Sequence, residues 1–223
     1  MKVAALFSGG KDSAYAAWLA MQHGWEVARL VTIRTANPDS FMFHHANVEL
    51  TTLQAEAAGI PHRFVESKGE KEKEVADLKR ALSGLGIDGV VSGAIESEYQ
   101  KERVDLTCEE LGLKSFAPLW RKPQERVALE EAGSLEAVIV SVSAEGLGEG
   151  WLGRPYDEKC VRDLIRLREE TGISVCGEGG EFETLVLNAP FFSKRLRLRE
   201  TKTVWRGSSG TMEAAGAELS PTR

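Results

Sequence analysis

The sequence is short of cysteine, of long apolar runs and of positive charge, and each shortage excludes something. Its three cysteines, Cys108, Cys160 and Cys176, are odd in number, far apart and without a C-x-x-C pair. A disulfide framework and a local zinc knuckle are therefore not expected, and reduced thiols are. No segment nears the ~20 continuous apolar residues of a membrane-spanning helix, so no membrane partner is expected. The N-terminus runs from Met1-Lys2 straight into a strand pattern, and Ser8-Gly9-Gly10 arrives too early for a secretory signal, which predicts a cytoplasmic protein. With a net charge of -6 and a pI of about 5.4, the chain lacks the basic excess by which proteins hold nucleic-acid phosphates. Nucleic acid is not an expected partner, although a local basic patch is compatible with that total. The chain also lacks internal repeats and low-complexity tracts. None of this bears on self-association, so a homo-oligomer stays open.

What is present is ordinary globular material: 223 residues, 42% hydrophobic and 28% charged, enough for a substantial core. Short runs rich in Val, Ile and Leu alternate with longer amphipathic segments, the pattern of βαβ units around a parallel sheet. Strands are predicted near 2–7, 26–33, 62–66, 88–92, 114–118 and 136–142, and helices over 13–23, 47–58, 70–84, 98–111 and 124–132. Gly24, Gly59 and Gly112 stand where left-handed caps would close three of them. Right-handed crossovers then give an α/β, doubly wound, mostly parallel sheet. In "GEKEKEVADLKRALSGL", Val75, Leu78, Leu82 and Leu85 form one helical stripe, and Ser67 with Glu70 resembles a capping box. Beyond Gly146 the texture changes, with a helix predicted at 156–171, an extended segment at 181–187 and short strand-like pieces after it. The reading is a domain over 1–122 and a smaller α/β domain over 123–223, whose last dozen residues from Met212 are loosely held.

Chemistry concentrates at the first strand-to-helix bend, "SGGKDS". A glycine pair lets backbone N–H groups point into one concavity, and the helix N-terminus adds partial positive charge, so an anion such as phosphate is the natural guest. Ser8, Gly9, Gly10, Lys11, Asp12 and Ser13 supply amides, hydroxyls, a counter-ion and a candidate Mg2+ ligand. The spacing is not the Walker pattern, because Gly9 and Gly10 are adjacent. In an open sheet a second loop should face the first where strand order reverses. "SGAIESEYQKERVD" supplies one: Ser92, Gly93 and Ala94 leave room for a nucleotide, and Tyr99, Gln100 and Arg103 follow on a helix. His44 and His45 cannot chelate a metal without a third ligand, and no metal site is assigned to them. In "GEGGEFET", an extended backbone over 181–187 points Glu181, Glu183 and Leu185 one way and Phe182, Thr184 and Val186 the other. Two carboxylates on one face repel unless a cation lies between them, so Glu178, Glu181 and Glu183 mark either a solvated turn or a cation site. Arg154 in "WLGRP" is either a carboxylate or phosphate fork or a salt bridge at a junction.

"SGGKDS" resembles the pyrophosphate-binding loop of the N-type ATP pyrophosphatases, the adenine nucleotide alpha hydrolase-like (HUP) superfamily that includes GMP synthetase, asparagine synthetase and tRNA-thiolating enzymes. Together with "SGAIESEYQKERVD", "EGWLGR" and "GEGGEFETLVLNAP", it is similar to the diphthine-ammonia ligase family, over residues 3 to 192. Asp105 and Asn188 depart from the family pattern, where Glu and Asp are expected, and "FMFHHAN" is an unusual version of its segment. The resemblance implies an enzyme that adenylates the carboxylate of diphthine on translation elongation factor 2 and amidates it with ammonia, giving AMP and pyrophosphate. It implies ATP with Mg2+ on Gly9, Gly10, Lys11 and Ser13, with Lys11 and Asp12 catalytic. It further implies that His44 and Asn47 line the cleft. Diphthine carries a trimethylammonium group and ammonia must arrive as free base, so Glu181 and Glu183 become catalytic candidates, with Glu178 beside them and Trp151 or Phe182 offering a ring face to the cation. No separate glutaminase domain is evident, which points to free ammonium. Two other readings share the loop. A tRNA-modifying pyrophosphatase would want a basic face and often a cysteine pair, and a non-catalytic nucleotide sensor would use binding only to shift a conformational equilibrium.

Overall fold

A computed structural model of the chain describes residues 1–35, 46–67 and 73–221. The first half alternates strand and helix: β1 (Lys2–Leu6), α1 (Lys11–Gln22), β2 (Glu26–Thr35), α2 (Thr51–Ala58), β3 (His62–Ser67), α3 (Glu74–Leu82), β4 (Gly89–Val91), α4 (Glu98–Glu110) and β5 (Lys114–Phe116). These five strands form one sheet of order β3-β2-β1-β4-β5, parallel throughout. Strand order reverses at β1, so the loops after β1 and β4 share the crevice, as the doubly wound reading requires.

The apolar runs are continuous because both faces of the central strands are covered. Along β1, Val3 and Ala5 pack into a core shared with Ala14, Ala17 and Val127, whereas Ala4 faces a second core with Leu78, Leu82, Val104 and Cys108. One strand thus supplies two cores by alternation. Gly24, Gly59 and Gly112 have φ of 76°, 66° and 66°. The α3 stripe is buried at Leu78 and Leu82. Glu70 of the Ser67–Glu70 box lies outside the described residues, and the Ser67 hydroxyl donates to Asp77.

The second half contains α5 (Gln124–Ser134), β6 (Glu136–Val142), α6 (Glu158–Thr171), β7 (Phe182–Asn188), β8 (Lys194–Arg206) and β9 (Ser209–Pro221). Its sheet has the order β7-β6-β9-β8 and is antiparallel. The strand expected at 136–142 therefore exists but belongs to this sheet, outside the parallel one. The tail from Met212 was expected to be loosely held, and that is corrected: residues 209–221 pair with β8 from Arg206↔Ser209 to Lys194↔Pro221, and Met212 is buried. The ribbon packs Leu196, Leu198, Met212, Ala214, Ala217 and Leu219 on the core, but in β9 two of these are alanines, so the apolar alternation of a buried strand is weak there.

Candidate active site

Phe7 follows β1, packed in the core, and the chain then turns through Ser8, Gly9 and Gly10 into α1. Gly9 has φ +84°, and a Cβ there would lie 2.5 Å from Gln54 Oε1. Gln54 is fully buried, and its Nε2 donates to the carbonyls of Gly9 (2.9 Å) and Val186 (2.7 Å). The Val186 amide donates to the same Gly9 carbonyl at 2.9 Å. The bend is thus fixed from outside, by α2 on one side and by β7 of the second sheet on the other. Inside it, the Ser8 and Ser13 hydroxyls stand 3.2 Å apart, and Ser13 donates to Gly10 O at 3.0 Å. Gly10 gives α1 no side-chain cap and Thr184 Oγ1 takes the first amide, Lys11 N, so the amides that follow in the first turn are left for an anion.

Lys11 does not extend into that concavity. It is 2% exposed, and its ammonium donates to Asp12 Oδ1 (2.5 Å) and to the Cys176 carbonyl (2.8 Å). Glu131 Oε2 lies 3.4 Å away, with the rings of Tyr156 and Phe182 at 5.6 and 5.7 Å. Burial works against the ammonium, but the charges of Asp12 and Glu131 outweigh it and hold the Lys11 pKa above its usual value. Burial raises the Glu131 carboxyl, as does Asp12, against the pull of Lys11.

The second loop meets the first by backbone contact. A Cβ on Gly93 would come within 2.7 Å of the Asp12 carbonyl carbon and 2.8 Å of Ser13 N, so the space that Gly93 leaves is filled by the first turn of α1. Ser92 and Ala94 are buried beside it, and Ser92 N donates to Phe116 O. Tyr99, Gln100 and Arg103 start α4. The Arg103 guanidinium lies 3.2 Å from the Tyr99 ring centroid, Tyr99 donates to Glu74 at 2.8 Å, and Gln100 N donates to the capping Ser97. These contacts knit α4 to α3. Asp105, one of the departures from the family pattern, accepts from Lys101 and Ser115.

The carboxylates of "GEGGEFET" each take backbone amides. Glu178 accepts from Glu96 N (2.8 Å) and Ser97 N (3.1 Å), bridging to the loop after β4. Glu181 accepts from Ser174 N and Gly179 N, both at 2.8 Å, closing its own loop. Glu183 accepts from Ala46 N at 2.8 Å. The opposite face of the segment meets the bend: Thr184 Oγ1 accepts from Lys11 N at 3.1 Å. Asn47 exchanges hydrogen bonds with Met212 O and Ala214 N of β9, while His44 lies outside the described residues. Arg154 stacks 4.4 Å from the Trp151 centroid and pairs with Asp163. Among the described residues no three His, Cys, Asp or Glu side chains gather to hold a metal.

Residue patterns did not single out Gln54, Thr184, Glu131 or Tyr156. One signal was available: Val127, Ala128 and Glu131 share a face of α5 at helical spacing, and a carboxylate on an apolar stripe is a buried charge in search of a partner.

Comparison with known proteins adds the following. Family models match residues 1–115, described as "Diphthamide synthase N-terminal domain", and residues 123–219, described as "Diphthamide synthase C-terminal domain". A protein from Bos taurus named diphthine–ammonia ligase is 34% identical over 228 residues, covering 92% of this chain and 85% of that one. Its namesake from Danio rerio is 35% identical over 227 residues, with 92% and 89% covered. The Schizosaccharomyces pombe protein of that name is 35% identical over 230 residues, but only 38% of it is covered.

Proposed function

The chain belongs to the diphthamide synthase family, and from that premise we propose how its cleft serves diphthine–ammonia ligation. The enzyme is an ATP-dependent ligase that joins ammonia to the carboxylate of diphthine on translation elongation factor 2, releasing AMP and pyrophosphate. A free carboxylate is a poor electrophile toward amines, and transfer of AMP to it supplies a good leaving group. The observation that carries the reading is the bend: a helix start with no cap from its own N-cap residue, two serine hydroxyls and adjacent glycines whose left-handed turn is fixed from two sides. Such preorganised donors stabilise the charge that develops on departing pyrophosphate. Ser8, Gly9, Gly10 and Ser13 hold the phosphates, with Ser92, Gly93 and Ala94 walling the crevice from β4.

A lone carboxylate, Asp12, fits Mg2+ of the kind bound mainly by phosphate oxygens and water, and that ion would add charge stabilisation at the phosphates. Residues 1–122 form the ATP side and 123–223 the substrate side. There Glu183 and Glu178 meet the cationic partner, trimethylammonium or ammonium, and Glu181 acts through the loop it closes. Tyr99, Gln100, Arg103, Asn47, Trp151 and Arg154 shape the walls rather than touch the reacting atoms. Because the protein substrate is a translation factor, the site of action is the cytoplasm.

The test combines the purified chain with ATP, ammonium and diphthine-bearing elongation factor. AMP, pyrophosphate and amide should appear in equal amounts, and omission of the factor should abolish sustained turnover. ADP as the main product would end the reading.

A further inference from the structure

A lysine in a phosphate-binding bend is expected to reach for phosphate, and here the geometry is against it. An ammonium has three N–H donors. Lys11 donates to Asp12 Oδ1 (2.5 Å) and the Cys176 carbonyl (2.8 Å) and forms an ion pair with Glu131 Oε2 (3.4 Å), with the ammonium buried away from solvent. Two of these three partners belong to the substrate-side half: Glu131 on α5, 0% exposed, and Cys176 in the loop before β7. Tyr156, from the same half, donates to Glu131 Oε2 at 3.5 Å. Glu131 Oε1 has no hydrogen-bond partner among the described residues.

An isolated buried carboxylate is costly, and the cost is tolerable only against a cation. Lys11 supplies that cation, and the remaining hydrogen bond falls on the one carboxylate of the bend, Asp12. We propose that Glu131 is a positioning residue: with the Cys176 carbonyl it holds the Lys11 ammonium, and Lys11 in turn fixes the Asp12 carboxylate toward the phosphates. The ATP half-reaction thereby depends on a residue of the other half of the chain. The same segment, 174–186, touches the bend through Thr184 and Val186 and the second loop through Glu178, so it braces both walls of the crevice. This inference rests on the ligase reading above.

Two variants decide it. Glu131→Gln keeps shape and removes charge; its kcat for pyrophosphate release should fall roughly 10- to 100-fold, the scale of a small misplacement of a reacting group, while the KM for ATP stays within about threefold. The apolar pair Lys11→Met/Glu131→Leu removes the buried charges together, and should restore the thermal midpoint to near that of the wild type while turnover stays low. If Glu131→Gln folds with wild-type kcat, Lys11 works without Glu131 and the proposal fails. If the apolar pair recovers midpoint and kcat together, the pair is only structural and the proposal fails. Should Glu131→Gln not fold, the apolar pair alone decides: low kcat at unchanged KM supports positioning, whereas a sharply raised KM makes Lys11 a phosphate contact and overturns it. Failure of the wild type to make AMP would instead remove the ligase reading, a separate result.

Discussion

In the parallel sheet, β1 and β4 are buried on both faces and their loops collect polar groups at one edge, whereas in the antiparallel sheet β8 and β9 run 13 residues each as a ribbon, β8 mostly exposed and β9 mostly half-buried. The functional stretches differ in the same way. Around "SGGKDS", hydroxyls and helix amides are drawn into a concavity with donors to offer an anion. Around "GEGGEFET", three carboxylates already accept backbone amides from Glu96, Ser97, Ser174, Gly179 and Ala46. The first stretch presents donors to an anion; in the second, backbone amides already hold the carboxylates that are proposed to meet a cation. The difference teaches that charged residue types alone do not tell a ligand site from a staple; what matters is whether the chain itself satisfies them.

The sharpest way to break this division is at the buried contact where the halves share charge, Lys11 with Glu131. Lys11→Ala leaves Glu131 buried without its cation, so a loss of about 3–5 kcal/mol in urea unfolding is expected, the range for stripping a buried ion of its partner. A loss below about 1 kcal/mol would mean that Glu131 finds water or another donor, and that the halves are not joined there.

The next test separates crowding from openness. Gly93→Ala drives a methyl into the backbone of Asp12 and Ser13, and overpacking of that kind costs about 1–3 kcal/mol. It also shifts the first turn of α1, so AMP formation should drop further than stability does. Gly133→Ala in α5 meets nothing within 4 Å and should raise stability by about 0.5–1 kcal/mol, since Ala is the better helix former. Equal effects at the two positions, read by thermal midpoint, would remove the steric argument for the crevice wall.

How much of this was legible beforehand follows from where each interaction lies along the chain. Each βα unit closes locally, so periodicity shows β1 through β5, and the Gly24, Gly59 and Gly112 stops appear where the helices end. The second sheet pairs Glu136 with Asn188 and Ser141 with Thr211, separations that no local pattern encodes. β9 pairs with β6 at Ser141 and Val142, and the residues it packs on the core include Ala214 and Ala217, too small to write strong alternation into its sequence. At the site, "SGGKDS" was readable because side-chain types carry its chemistry. The partner of Lys11 was not, because one of its acceptors is a backbone carbonyl, for which any residue serves. Glu178, Glu181 and Glu183 were readable as charge, while the amides that hold them come from loops up to 137 positions away.

A smaller effect is expected where a brace loses charge but keeps its shape. Glu181→Gln retains one carbonyl acceptor for the Ser174 and Gly179 amides, so about 1.5–3 kcal/mol should be lost, the worth of a hydrogen bond to a charged group. If Glu181 only closes its loop, amide formation per folded molecule stays near that of the wild type across the ammonium range. A selective loss of ammonium use at normal stability would instead move Glu181 among the reacting groups.

The smallest expected effect is the most specific, because it is read from a slope. Burial and then the charge of Asp12 hold the Glu178 carboxyl above its ordinary value, against the hydrogen bonds from Glu96 and Ser97. A raised folded-state pKa means that the native protein keeps this proton longer than the unfolded chain does. The contribution to stability is therefore fully present below the ordinary glutamate range, and it is lost as pH rises through the folded-state value. Glu178→Gln removes the titration while its amide oxygen still accepts from both backbone N–H groups, so the net change at neutral pH should stay within about 1 kcal/mol. Urea unfolding of both proteins, from pH 4 upward, gives the comparison: the wild type should lose ground to the variant as pH rises. The opposite slope would mean that the backbone donors outweigh burial and Asp12, which would make Glu178 a brace for the loop after β4 and remove it from the groups that meet a substrate cation.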